Sequence, residues 1–117
     1  MKEKKLKFIR ILTTELDDLL EDIEQLMGVD KERCEKGEIT QYVYLENNAL
    51  FQKEISCLKS FAQFTLRIDL DGYGTLEELY AFVKDEFEKQ LKGGCYTHAI
   101  ENVVTRRLQK VLNYVKS

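Results

Sequence analysis

Three carboxylates, Asp69, Asp71 and Glu77, fall within the segment Asp69-Leu-Asp71-Gly-Tyr-Gly74-Thr-Leu76-Glu77. Side chains of this type on a glycine-containing turn suit a hard cation, because calcium and magnesium take oxygen donors from backbone that can curl around them. A second reactive set is Cys34, Cys95 and His98, the last being the only histidine. Thiolate and imidazole are zinc ligands, with Glu35 or Glu38 available to complete a shell, and a thiol beside an imidazole can ionise near neutral pH. A third is the acidic run Glu15, Asp17, Asp18, Glu21, Asp22 and Glu24. Carboxylates of this kind hold magnesium for phosphate hydrolysis when a facing helix brings partners such as Asp85 to them.

Two of these sets resemble known elements. Asp69, Asp71, Gly74 and Leu76 occupy the first, third, sixth and eighth positions of an EF-hand calcium loop, and Glu77 the ninth. The resemblance implies calcium ligands at Asp69, Asp71 and Glu77. Tyr73 stands at the fifth position and Tyr80 at the twelfth, where the bidentate glutamate belongs, which removes about three of the oxygens calcium needs. The companion segment from Glu32, through Cys34, Lys36, Gly37, Ile39 and Val43, carries almost no ligands, so a degenerate loop is expected. Glu15-Leu-Asp-Asp18 resembles the ExxD element of the all-α nucleotide pyrophosphohydrolases and implies magnesium-dependent phosphate hydrolysis. That family's EExxE helix has no counterpart upstream. No Ser/His/Asp set or phosphate-cradling glycine loop can be assembled, and no cofactor is implied.

These residues must be positioned by helices. The chain has no proline, and its six glycines, Gly28, Gly37, Gly72, Gly74, Gly93 and Gly94, fall in three places between periodic segments, which marks three breaks and four elements. The first carries Ile9, Leu12, Leu16, Leu19, Ile23 and Leu26 in alternating steps of three and four. The second, from about Thr40 to Ile68, carries Tyr44, Asn48, Phe51, Ile55, Leu58, Ala62 and Leu66, with a break expected near Asn47-Asn48 because asparagine favours turns. Thr75 to Glu78 is a capping box that opens the third, which continues through Leu79, Val83, Phe87 and Leu91 to a stop at Gly93. The fourth presents Ile100, Val103, Val104, Leu108, Val111, Leu112 and Val115.

The fold class expected is all-α, an antiparallel up-down-up-down bundle of about four helices forming one domain over residues 1–117. That connectivity predicts two poles. One sets Asp69 and Asp71 against Lys2, Lys4, Lys5, Lys7, Lys110 and Lys116, so that ammonium groups stand where a metal otherwise would; the other joins Cys34, Cys95 and His98. A net charge of −3 argues against nucleic acid or acidic membranes as partners. Three widely spaced cysteines and a lysine-interrupted N-terminal segment point to reduced thiols and a cytoplasmic protein. The leading expectation of function is a non-enzymatic interaction or adaptor protein. Phe8, Ile11, Leu20, Tyr42, Val43 and Leu45 lie outside single stripes, so they need covering, by a protein partner or a second copy in a homodimer. The magnesium-dependent hydrolase and the EF-hand-like calcium binder are its rivals.

Overall fold

The computed structural model describes residues 2–117. Four helices follow one another, α1 (Lys2–Glu35), α2 (Gln41–Leu66), α3 (Leu76–Lys92) and α4 (His98–Lys116), with one 3-10 turn, Leu70–Gly72, between α2 and α3. There is no strand among the described residues. Cross-chain bonds fix the up-down-up-down order: Lys5 meets the α2–α3 connection, Arg107 of α4 meets Glu15 of α1, and Thr97 meets Glu54 of α2. Phe8, Leu12, Leu16 and Ile23 of α1 join Leu58 and Phe61, Leu79, Val83 and Phe87, and Val104, Leu108 and Val111 in one continuous core.

The glycines do not all punctuate. α1 passes through Gly28 without interruption and runs for 34 residues. A glycine inside a helix costs only about 1 kcal/mol relative to alanine, which packing along the rest of α1 easily outweighs. The stop comes at Gly37, in the left-handed region at φ 77, where Glu38 N–H donates to Arg33 O and Gly37 N–H to Cys34 O. This is the paired hydrogen-bond pattern that ends helices at a residue without a Cβ. The same pattern closes α3, where Cys95 N–H donates to Gln90 O and Gly94 N–H to Leu91 O. There Gly94, at φ 76, takes the left-handed position rather than Gly93.

α2 also differs from expectation. It is unbroken at Asn47-Asn48, because the Asn47 side chain donates to Asp30 Oδ2 at 2.8 Å instead of turning back on its own backbone. Its inward stripe is rotated by about one position: Glu54, Leu58, Phe61, Ala62 and Thr65 are buried, and Leu66 is exposed. Polar residues at core positions had hidden that phase. Thr65 donates its hydroxyl to Ala62 O, and Glu54 accepts from Thr97, so neither buried group lacks a partner.

Helix lengths are unequal, and this shapes the molecule. At 1.5 Å per residue, α1 extends about 51 Å, whereas the 17 residues of α3 and 19 of α4 reach only about 26 and 28 Å. α3 and α4 cover the α1–α2 pair as far as Ile23 and Glu54, and no residue between those two is fully buried. The last turns of α1 and the first turns of α2 therefore project as a two-helix arm. The long dimension of the molecule is 54 Å against 25 and 20 Å across.

Candidate functional site

At the pole holding both helix α1's start and the 69–75 connection, lysines take the places a cation would. Lys5, on the inward stripe of α1 one turn before Phe8 and Ile9, is 6% exposed. Its ammonium donates to Leu70 O and Tyr73 O, each at 2.7 Å. Two carbonyls of one tight turn aimed at a single cation resemble half of a metal shell, and a charged donor makes such bonds stronger than neutral ones. Lys2 Nζ stands 3.7 Å from Asp71 Oδ1, and Lys116 Nζ stands 3.9 Å from Glu77 Oε1. Asp69 turns to its own backbone, accepting from Asp71 N–H at 3.1 Å. Thr75 accepts from Glu78 N–H, while the Glu78 carboxylate accepts from Gly74 N–H at 2.9 Å, one residue earlier than a standard capping box requires. Asp69 thus serves its own turn, while Asp71 and Glu77 face lysines from the two chain termini. Among the described residues no three His, Cys, Asp or Glu side chains gather as a metal site.

The opposite pole does not form as the sequence suggests, although the helix order is the expected one. Cys34 lies in the last turn of α1, at the tip of the arm, while Cys95 and His98 lie at the end of the shorter α3 and the start of α4. A helix that stopped at Gly28 would set Cys34 level with Cys95, but α1 continues to Glu35. The overhang separates them. His98 instead pairs with Glu101, with 3.3 Å between Nδ1 and Oε2. Cys95 finds Cys57 of α2, and burial and that neighbour push the Cys57 thiol up to about 11. Tyr96, packed on Phe87 with ring centroids 5.2 Å apart, has its hydroxyl pushed up too, chiefly by burial.

The acidic run of α1 is likewise divided. Arg107 donates to Glu15 O at 2.7 Å and lies 3.6 Å from the Glu15 carboxylate and 3.8 Å from that of Asp22. Asp85 pairs with Lys89 on its own helix at 3.4 Å. Two of the carboxylates proposed as magnesium ligands are therefore turned to a guanidinium that fastens α4 to α1. The sequence places Lys5 at this pole but not as a buried ammonium on backbone carbonyls, and it does not mark Glu54 and Arg107 as structural charges. The available signal was phase, since Lys5 and Glu54 sit at core positions of their helices, where a charge is kept only if it is bonded.

Along the arm the inward stripes of both helices stay uncovered. The inward stripe of α2 reads Thr65, Phe61, Leu58, Glu54 and then Leu50, Asn47, Val43; that of α1 reads Leu16, Leu19, Ile23 and then Leu26, Asp30, Arg33. Up to Glu54 and Ile23 both are covered. Beyond them Leu26 is 50% exposed, Leu50 49% and Val43 40%. Leu26, Leu50 and Phe51 line a groove that ends against Ala99 and Ile100 in the first turn of α4. Val29, Tyr42 and Leu45 are exposed nearby, whereas Phe8, Ile11 and Leu20 are absorbed into the core or packed on it. Of the apolar residues outside single stripes, Tyr42, Val43 and Leu45 stay exposed, and all three lie on the arm. No helix among the described residues is long and apolar enough to cross a membrane. No protein-family profile, curated protein or solved structure matches the chain.

Proposed function

We propose that this protein is a non-enzymatic interaction module whose working surface is the projecting α1–α2 arm, and that the occupant of that surface is a second copy of the chain. The observation that carries the reading is the continuation of both inward stripes, through Leu26 on α1 and Leu50 and Val43 on α2, past the point where α3 and α4 cover them. A two-helix occupant with the same stripes fits there, and a second arm related by a two-fold axis is such an object, since an isologous pair needs only one surface. Arm against arm, the cross-section becomes four helices again. Both signs of charge alternate near the tip, as Lys31, Glu32, Arg33, Glu35 and Lys36. The base carries Glu21 and Glu24, so antiparallel overlap sets cations of one tip beside the acidic base of the other.

The available area makes this a weak contact. Roughly ten residues of each helix, about 15 Å long and about 20 Å wide for the pair, offer on the order of 300–500 Å² per copy, which lies in the range of transient association. Sedimentation equilibrium from about 10 μM to about 1 mM tests it. The expected result is a monomer–dimer equilibrium that Leu26→Glu with Leu50→Glu abolishes while leaving the circular dichroism spectrum unchanged. A chain that remains monomeric across that range overturns the self-pairing, as does a dimer indifferent to both substitutions.

A further inference from the structure

We propose that Cys57 and Cys95 form a dithiol site that closes to an intramolecular disulfide by exchange with a small-molecule disulfide, tying the α3–α4 connection to α2. The connection lies along α2 on both sides of Cys95. A Cβ placed on Gly94 would stand 3.8 Å from Lys53 Nζ, and Thr97 donates its N–H and its hydroxyl to Glu54 Oε2 at 3.1 and 2.9 Å. Cys57 follows Glu54 by three residues, on the same side of the helix. These contacts set Cys95 beside the turn of α2 that carries Cys57, and the Cys95 thiol is a direct neighbour acting on the Cys57 thiol. Both are half-buried and free, so a reagent of modest size can reach the pair.

The exchange balances in two steps. The Cys95 thiolate attacks one sulfur of the small-molecule disulfide, forming a mixed disulfide and expelling one small thiolate, which takes up a proton. Cys57 then gives its proton to solvent, attacks the Cys95 sulfur and expels the second small thiolate. Two protein thiols are oxidised to one disulfide and the reagent is reduced to two thiols. The groups around Cys57 are Lys53 and Glu54 on its own helix and Cys95 and Tyr96 from the connection. Burial, Cys95 and Glu54 hold Cys57 protonated, and Lys53 opposes them. Once Cys95 is held in the mixed disulfide its thiol no longer raises Cys57, while burial and Glu54 still do, so closure speeds up with rising pH as the Cys57 thiolate fraction grows.

The test is incubation of the full chain with oxidised glutathione, followed by alkylation of remaining thiols, peptide mapping and thermal melting. The expected product contains a Cys57–Cys95 cross-linked peptide, with Cys34 the one cysteine left to alkylation or to glutathione. Its melting temperature is higher by on the order of 10 °C, since the bond closes a long loop, and dithiothreitol reverses the change. Cys57→Ala and Cys95→Ser each yield a lasting mixed disulfide on the remaining partner, and either variant suffices if the other fails to fold. Glutathione persisting on Cys57 or Cys95 of the unaltered chain without the cross-link overturns the proposal, as does an oxidised chain in which Cys57 and Cys95 both remain alkylatable.

Discussion

Lys5 carries its charge into a site 6% exposed and spends it on the two carbonyls of the Leu70–Tyr73 turn. Lys5→Met keeps most of the aliphatic volume but leaves both acceptors without that donor, so urea denaturation should show a loss of about 1–3 kcal/mol. Millimolar calcium should leave the melting temperature of the unaltered chain where it is, because the ammonium already occupies the concave side of the turn and a ligand stabilises only a state it can enter. Alkali acts elsewhere. The Cys57 thiol is raised to about 11 and the Tyr96 hydroxyl is raised as well, so the folded chain holds these protons more tightly than the unfolded one. Their contribution is complete below the ordinary thiol range and is lost as pH climbs through the folded values. The urea midpoint should stay level to about pH 9 and fall towards pH 11, and Cys57→Ala should flatten part of that fall.

At the scale of elements, the arm and the body of the bundle differ in what holds them. The body is fixed by a core of Phe, Leu and Val side chains at or near zero exposure; the arm is held by half-buried Met27, Cys34, Tyr44 and Phe51 and by the Asp30–Asn47 bond at 2.8 Å. Local opening should follow that division. Native-state hydrogen exchange should show amides of residues 28–46 losing protection before those of 8–23 and 58–66, and Asp30→Ala should widen the gap by about 1 kcal/mol. Four helices and their order were legible because apolar spacing and absent proline leave few alternatives, and so was the Thr75 cap, whereas the like caps at Thr40 and Thr97 emerge only in the structure. Where α1 ends was not legible. Whether Gly28 or Gly37 stops it depends on tertiary packing further back along the helix, and a stop at the earlier one would set Cys34 level with Cys95. The lysine-rich pole was legible as a meeting of opposite charges, for Lys2 with Asp71, but not as a buried ammonium on carbonyls, because backbone acceptors leave no mark in a sequence.

The whole molecule is longer than its mass suggests. Its Cα radius of gyration is 16.4 Å, against about 13 Å for a compact chain of this length. Small-angle scattering extrapolated to zero concentration should return the larger value, and a chain whose arm folded back on the body would return the smaller. The excess comes from two helices outrunning two others, and that gives the arm the character of a ruler. Removing or adding seven residues in α1 together with seven at the matching level of α2 preserves the phase of both stripes, so the reach should change by about 10 Å per heptad while the body and its charge contacts stay as they are. Removing three or four residues from one helix alone would instead shift Asp30 against Asn47 and turn Leu26 away from Leu50. Reach and recognition are thus written in the same few turns of helix, the first in their number and the second in their register.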